Sequence, residues 1–446
     1  MGALCEGGRV NIVFVVHYFP PINSAGAKRV EALSKYFAAA GHRVTVVTTS
    51  KSDRDGTLTE SVPPGVELME IDSLGRLAPS RRTDTAYEPL YSSKVSWRRR
   101  AKDAVFKLCG QLPDPRVPFA FAILSPTLAP AVKERLNSAD VVIGSSPPWP
   151  MLLAALFTKW RFGKKCVLDY RDHFSECHEM PGSALAKKME LLLDRKLVRA
   201  ADQLVVISEP MATYYNSLGG RVSTILNGFD QALLAAARAR AKPPEGQQVI
   251  IAHMGVISPG RIPHRILVAL RSFRQRDPAS FTRLRFECYG NAGLLHIELQ
   301  ERYPEVAEIF HFLPVLAYRD ALTRMIESDY LLFSETSSTA SLSAAGILPT
   351  KLFEYIGAGR PVLADISPAT LAGQLLLEHS IGSIVYDQPE GFLAAFSDPA
   401  FFERRPQRQQ PGLHPLSREA QAQEYVDLLG KVVAGGQPPA MARTSI

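Results

Sequence analysis

Short apolar runs alternate with amphipathic stretches along nearly the whole chain. Asn11-Ile-Val-Phe-Val-Val-His17 is apolar almost throughout, as expected of a parallel strand buried on both faces. Val30, Leu33, Tyr36, Phe37 and Ala40 then fall at helical spacing, Gly41 stops that helix, and Arg43 to Thr48 is apolar again. This is a β-α-β unit. Further strands are predicted at 65–71, 140–144, 165–170 and 202–208, with a short strand and then a turn over 224–230, and with helices over 118–136, 149–160 and 183–200 between them. An Ala/Arg-rich and then polar stretch, residues 231–247, interrupts the pattern. It restarts with strands at 249–254, 284–289, 309–313, 329–334, 361–364 and 381–386, and closes with a long helix over 416–433. The expected fold is α/β, two Rossmann-like doubly wound domains facing a cleft. The expected domains are 1–240 and 241–415, followed by a terminal helix at 416–434 and a frayed tail at 435–446.

Composition narrows the class. A chain of 446 residues with 46% hydrophobic and 21% charged residues suits a multidomain globular protein. Five scattered cysteines suggest a reducing compartment without a disulfide framework. Its longest apolar run, Pro147 to Phe157, is too short to span a bilayer, and no run of signal-peptide length precedes the first strand. The expected location is cytoplasmic. The net charge of +7 fits an anionic small molecule or membrane surface at least as well as nucleic acid, which is not expected as a partner. Arg98, Arg99, Arg100 and Lys102 beside Trp97 form a basic, partly apolar stretch that can rest on an anionic membrane or simply be a solvated helix face.

The stretch Gly346 to Ala364 holds the most suggestive chemistry. It reads as a loop, a helix started by Pro349 and capped by Thr350, then glycines at 357 and 359 and a strand. Lys351 and Glu354 share a face near the helix N-terminus, where unpaired N–H groups favour phosphate. A solvated Lys–Glu pair on a surface helix explains the same spacing. Arg261 sits in a loop with Gly255 and Gly260 at a strand end, placed for bidentate phosphate contact or simply exposed. Gly26 follows the first strand in a loop that suits ligand approach or a plain helix-start turn. Neither half has a Gly-x-Gly-x-x-Gly after its first strand, which argues against a dinucleotide oxidoreductase. Asp172 and His173 stand at the carboxyl end of a strand. His173, Cys177 and His178 are too loosely spaced for a zinc site, so no metal is expected.

Taken together, the motifs resemble the retaining, family-4 class of glycosyltransferases with the two-Rossmann GT-B fold, over about residues 11–430. The carriers are His17-Tyr-Phe-Pro-Pro with Gly26 and Arg29, Ala201-Asp with Val206-Ile-Ser208, and Leu226-Asn-Gly-Phe-Asp230. The others are the Gly255 to Arg261 loop, Ser328-Asp329, and Lys351-Leu-Phe-Glu-Tyr with Gly359-Arg-Pro-Val. The resemblance implies a UDP- or GDP-sugar donor held mainly by the second half, through Gly255, Arg261, Gly290, Lys351, Leu352 and Glu354, with Gly26 of the first half near its phosphates. It implies Arg261 and Lys351 neutralising the leaving diphosphate, Glu354 on the ribose, and Asp172 or His173 facing sugar and acceptor. No cofactor or metal beyond the donor is implied. The acceptor would be a glycan or polyprenyl-linked molecule, met at the inner face of a membrane during polysaccharide or glycoconjugate synthesis. The terminal helix would cross back onto the first domain. The sequence departs from the family where Gly346 replaces a second glutamate eight positions before Glu354. It also departs where Ile262-Pro-His-Arg265 lacks the lysine usual after the loop arginine. A catalytically silent nucleotide-sugar-binding subunit and a GT-B nucleotide-sugar epimerase are the competing readings.

Overall fold

The computed structural model describes residues 8–52, 55–56, 58–80, 104–177, 182–242, 246–335, 346, 348–403 and 414–435. The basic stretch 97–102, His178, most of the loop between Ser334 and Ile347, and the tail beyond 435 lie outside them.

The described chain divides into two compact units, residues 1–227 with 418–446, and residues 228–417. The first contains a seven-stranded sheet of β1 (Asn11–Val16), β2 (Arg43–Thr49), β3 (Val66–Ile71), β4 (Val141–Ser146), β5 (Lys165–Tyr170), β6 (Gln203–Val206) and β7 (Val222–Thr224). Its order is β3-β2-β1-β4-β5-β6-β7 and every pairing is parallel. The near-unbroken apolar run of β1 now has its explanation. Val13 and Val15 enter the core under helix Pro150–Phe162, while Ile12, Phe14 and Val16 enter the core of the opposite face. A strand covered on both sides cannot alternate polar and apolar residues.

The second unit has six parallel strands, β8 (Val249–Met254), β9 (Leu284–Tyr289), β10 (Phe310–Leu313), β11 (Tyr330–Ser334), β12 (Val362–Asp365) and β13 (Ile384–Tyr386), in the order β10-β9-β8-β11-β12-β13. Both sheets are the doubly wound type expected.

Three boundaries differ from the sequence reading. The unit boundary falls at Asn227/Gly228, not after residue 240, because helix Gln231–Arg240 belongs to the second unit. Arg240 on that helix donates to the Arg319 carbonyl and to Thr323, and Arg238 donates to the Gly357 carbonyl. The single helix expected over 118–136 is two, Val117–Ala122 and Pro130–Ser138, since the second starts afresh at its own proline. The terminal helix starts at Arg418 and belongs to the first unit, where Tyr425 lies with its ring 5.7 Å from that of Phe37.

Candidate active site

In the second unit, successive strands leave β8 in opposite directions, so the chain order switches between β8 and β11. In an open parallel sheet the connections diverge at such a point and leave a crevice at the carboxyl ends of the strands. Arg261, Glu335, Lys351 and His253 all belong to segments at these ends.

Helix Thr350–Ala358 supplies Lys351. Its N-cap position is Pro349 and no side chain caps it, so Thr350 is the first helical residue and not the expected cap. The uncapped first turn keeps amide hydrogens available for an anion. The helix is also not a solvated one: every residue from Leu352 to Ala358 is buried. Lys351 is half-buried, with Nζ 5.9 Å from the centre of the Phe333 ring. Burial, and then the nearby Arg261 charge, lower its pKa to about 8, with Glu335 pulling the other way. Arg261 donates through Nε to Glu335 Oε1 at 2.7 Å, and Glu335 is almost fully buried. The two cations are thus held in one neighbourhood, and the Glu335 carboxylate interacts with both.

Glu354 is buried and accepts a 2.8 Å hydrogen bond from the Tyr318 hydroxyl. The next residue, Tyr355, accepts from the Met254 N–H at 3.0 Å and so ties the helix to the end of β8. Leu352 is fully buried, so its side chain fills the core. Gly255 and Gly290 follow β8 and β9 and lie backbone against backbone. A Cβ on Gly290 would stand 2.7 Å from the Gly255 carbonyl oxygen, and φ is +121° at Gly290 and +105° at Gly255. Only glycine fits that approach.

His253 was seen in the sequence only as a strand residue. Its Nδ1 lies 3.0 Å from the Leu332 carbonyl, which can only accept, so Nδ1 carries the proton and Nε2 presents a lone pair. Nε2 is buried without a protein partner. Burial, then Lys351 and Arg261, hold its pKa at about 3, so the ring is neutral at physiological pH. Arg265 pairs with Asp365 at 2.6 Å and is committed to the end of β12.

Sequence reasoning missed Glu335, His253 and Tyr318. Glu335 did leave a signal: it is an acid directly after the wholly buried strand β11, where a parallel sheet places ligand-handling groups.

In the first unit, Gly26 is the second residue of helix Ala25–Ala39, whose N-cap Ser24 accepts from the Gly26 N–H. The space a Cβ would take there lies 3.2 Å from the Tyr18 ring and 3.4 Å from Arg171. Arg171 is buried and donates to the carbonyls of Gly26, Ser146 and Pro147. Asp172 is exposed. His173 is buried, stacked on Tyr215 at 5.7 Å and edge-on to Tyr214 at 5.2 Å. Arg29 is an internal clamp, bonded to Asp169 and to the carbonyls of Ile225 and Leu226. His17, lying between Thr49 and Arg116, has its pKa lowered to about 3 by burial and then by Arg116. Among the described residues no group of three or more His, Cys, Asp or Glu side chains is placed to hold a metal, and no helix is long and apolar enough to cross a membrane.

Residues 24–228 match the family described as Glycosyl transferase 4-like domain. Similar solved structures include sucrose-phosphate synthase from Thermosynechococcus elongatus, at TM-score 0.58 and 13% identity over 96% of this chain and 97% of that one. The catalytic domain of starch synthase IV from Arabidopsis thaliana, bound to ADP and acarbose, matches at TM-score 0.53 and 13% identity, over 96% of this chain and 100% of the other. A structure from E. coli described as trehalose-6-phosphate bound with UDP-2-fluoro glucose matches at TM-score 0.53 and 12% identity, over 95% and 97%. At these identities the likeness carries the fold. No curated protein sequence matches the chain.

Proposed function

We propose that this chain, whose residues 24–228 match the glycosyl transferase 4-like domain and whose fold is the GT-B fold, moves a sugar from a nucleoside-diphosphate sugar to a glycan or lipid-linked acceptor. The second unit holds the donor on this reading. The observation that carries it is the pairing of Arg261 and Lys351 beside an uncapped helix N-terminus at the switch point of the second sheet. Two cations and free amide hydrogens are what a leaving diphosphate requires. The neighbours bound to ADP and to UDP-2-fluoro glucose support a nucleotide ligand, UDP or GDP with a hexose or N-acetylhexosamine here.

Transfer breaks the bond between the anomeric carbon and the phosphate oxygen and forms one to the acceptor oxygen. Attack from the same face retains configuration, and the acceptor proton passes to the departing phosphate oxygen. Arg261 and Lys351 supply positive charge that offsets the negative charge the leaving group gains, with no metal or further cofactor called upon. Glu354, which accepts from the Tyr318 hydroxyl, would take the ribose hydroxyls on this reading. Asp172, exposed after β5, is the better placed of the first unit's two candidates to meet an acceptor, because His173 is enclosed by tyrosines.

A silent binding subunit is the second reading, favoured by Gly346, which brings no side chain where the family has a glutamate. Thermal-shift and turnover assays against UDP, GDP and their common sugars separate the two. Stabilisation by one nucleotide, diminished in Glu354→Ala, with sugar released or transferred, supports the transferase. Binding without turnover supports the silent subunit, and a changed donor without acceptor would indicate an epimerase. No stabilisation by any nucleotide overturns the donor site.

A further inference from the structure

Helix Ala184–Ala200 of the first unit inverts the usual arrangement of charge. A surface helix ordinarily shows water its acids and bases together and turns its leucines inward. This helix has two acidic residues, Glu190 and Asp194, and both are fully buried. Their bonds fix them there. Asp194 accepts from the Tyr170 hydroxyl at 2.9 Å and the Ser175 hydroxyl at 2.7 Å, and Glu190 accepts from the Gln111 N–H and from Lys187. Outward instead stand Leu185, Met189 and Leu192, 69%, 50% and 49% exposed. Their four- and three-residue spacing makes one stripe. Lys188 and Lys196 are exposed on the same helix, so its outer face is apolar and positive with no acid of its own.

The neighbouring segment extends this face. Ser183, the N-cap of the helix, donates to the Leu108 carbonyl at 2.6 Å. Leu108 is itself 66% exposed, beside exposed Val105 and Lys107. We propose that this face, Leu108 with Leu185, Met189 and Leu192 among Lys107, Lys188 and Lys196, docks on the surface of an anionic phospholipid bilayer. Apolar side chains exposed by about half or more gain by entering the headgroup boundary, and the lysines gain from anionic lipid. Charge argues against a second copy of this chain, which would bring like charge onto like. Composition argues against a protein partner, since protein interfaces are depleted in lysine and enriched in aromatic residues. The proposal stands apart from the transferase reading, because its readout is vesicle binding without donor or acceptor.

The test is sedimentation of the full chain with vesicles of phosphatidylglycerol and phosphatidylcholine, and with vesicles of phosphatidylcholine alone. Binding is expected to the first only, and to fall as salt rises. Met189→Ser with Leu192→Ser should lower partition by about tenfold, and Lys188→Ala by about fivefold. All these side chains are exposed, so melting temperature should not move, and nucleotide stabilisation of the second unit should persist. Absence of binding to the anionic vesicles overturns the proposal, as does binding that survives the double substitution. So does a dimer in light scattering that the same double substitution makes monomeric.

Discussion

At the residue scale, the side chains with displaced pKa values make separable predictions. Lys351 has its pKa lowered to about 8 by burial and the Arg261 charge, so it is largely protonated at pH 7 and largely neutral at pH 9. A bound diphosphate favours the protonated form, so binding takes up a proton above pH 8 and affinity for the donor falls by up to about tenfold per pH unit there. Calorimetry with a UDP- or GDP-sugar between pH 7 and 9.5 should show that fall in the wild type and lose it in Lys351→Arg, whose guanidinium stays charged. An equal slope in both proteins would remove Lys351 from the diphosphate. His253 works in the acid range. Its folded pKa of about 3 lies below the ordinary value of 6.5, so under pH 6.5 the unfolded chain binds more protons and stability declines with falling pH. The decline reaches about 1.4 kcal/mol per pH unit for one such group. His253→Gln, which keeps a donor for the Leu332 carbonyl, should flatten that share of the slope in urea titrations from pH 7 to 4. These groups were only half legible in sequence. Lys351 was visible because a lysine at a helix start is a local pattern. Glu335 was not paired with Arg261 because 74 residues separate them and only the sheet order brings their strand ends together.

At the element scale, helix Thr350–Ala358 shows how a correct element can be read with the wrong grammar. Gly357 and Gly359 both looked like stops. Gly359 is one, with φ of +70°. Gly357 lies inside the helix because a neighbour needs its missing side chain: a Cβ there would stand 2.6 Å from Leu234 Cδ1 and closer still to the Phe229 ring. Leu234 belongs to helix Gln231–Arg240, so this glycine and the misplaced unit boundary have one cause. A sequence window over 231–247 sees only alanine, arginine and polar residues, whereas the contact that assigns the helix lies more than a hundred residues on. Gly357→Ala would gain about 1 kcal/mol in helix propensity. Overpacking costs about 1–3 kcal/mol, and here it meets a ring that cannot swing aside freely, so the clash wins. A loss of about 1–2 kcal/mol in urea unfolding of the second unit is expected. A gain in stability would mean that the two helices part readily.

At the scale of the whole molecule, the repeated strand–helix rhythm made both parallel sheets legible, because strands covered on two faces must be apolar throughout. What rhythm cannot give is the route of the last helix, since an amphipathic stripe states that a face is buried but not against what. The resemblance implies that a terminal helix over 416–434 crosses back onto the first domain, and the packing of the observed helix Arg418–Val433 gives the physical reason. Tyr425 is fully buried against Phe37, and Leu428, Leu429 and Val432 complete the core on one face of the first sheet. Each of those three aliphatic side chains contributes about 1.5–3 kcal/mol by burial. Losing them together would consume most of the roughly 5–15 kcal/mol by which a domain is stable. A chain ending at Ser417 should therefore lose the cooperative melting of its first unit. The second unit, whose own core of Ile251, Phe286, Leu332 and Leu363 uses nothing beyond residue 417, should still melt cooperatively and still be stabilised by nucleotide. Calorimetry of the full and shortened chains, with and without UDP or GDP, reads both units in one experiment. Two intact transitions in the shortened chain would show that the last helix is dispensable to the first core. Loss of both would show that the units share one cooperative fold despite their separate sheets.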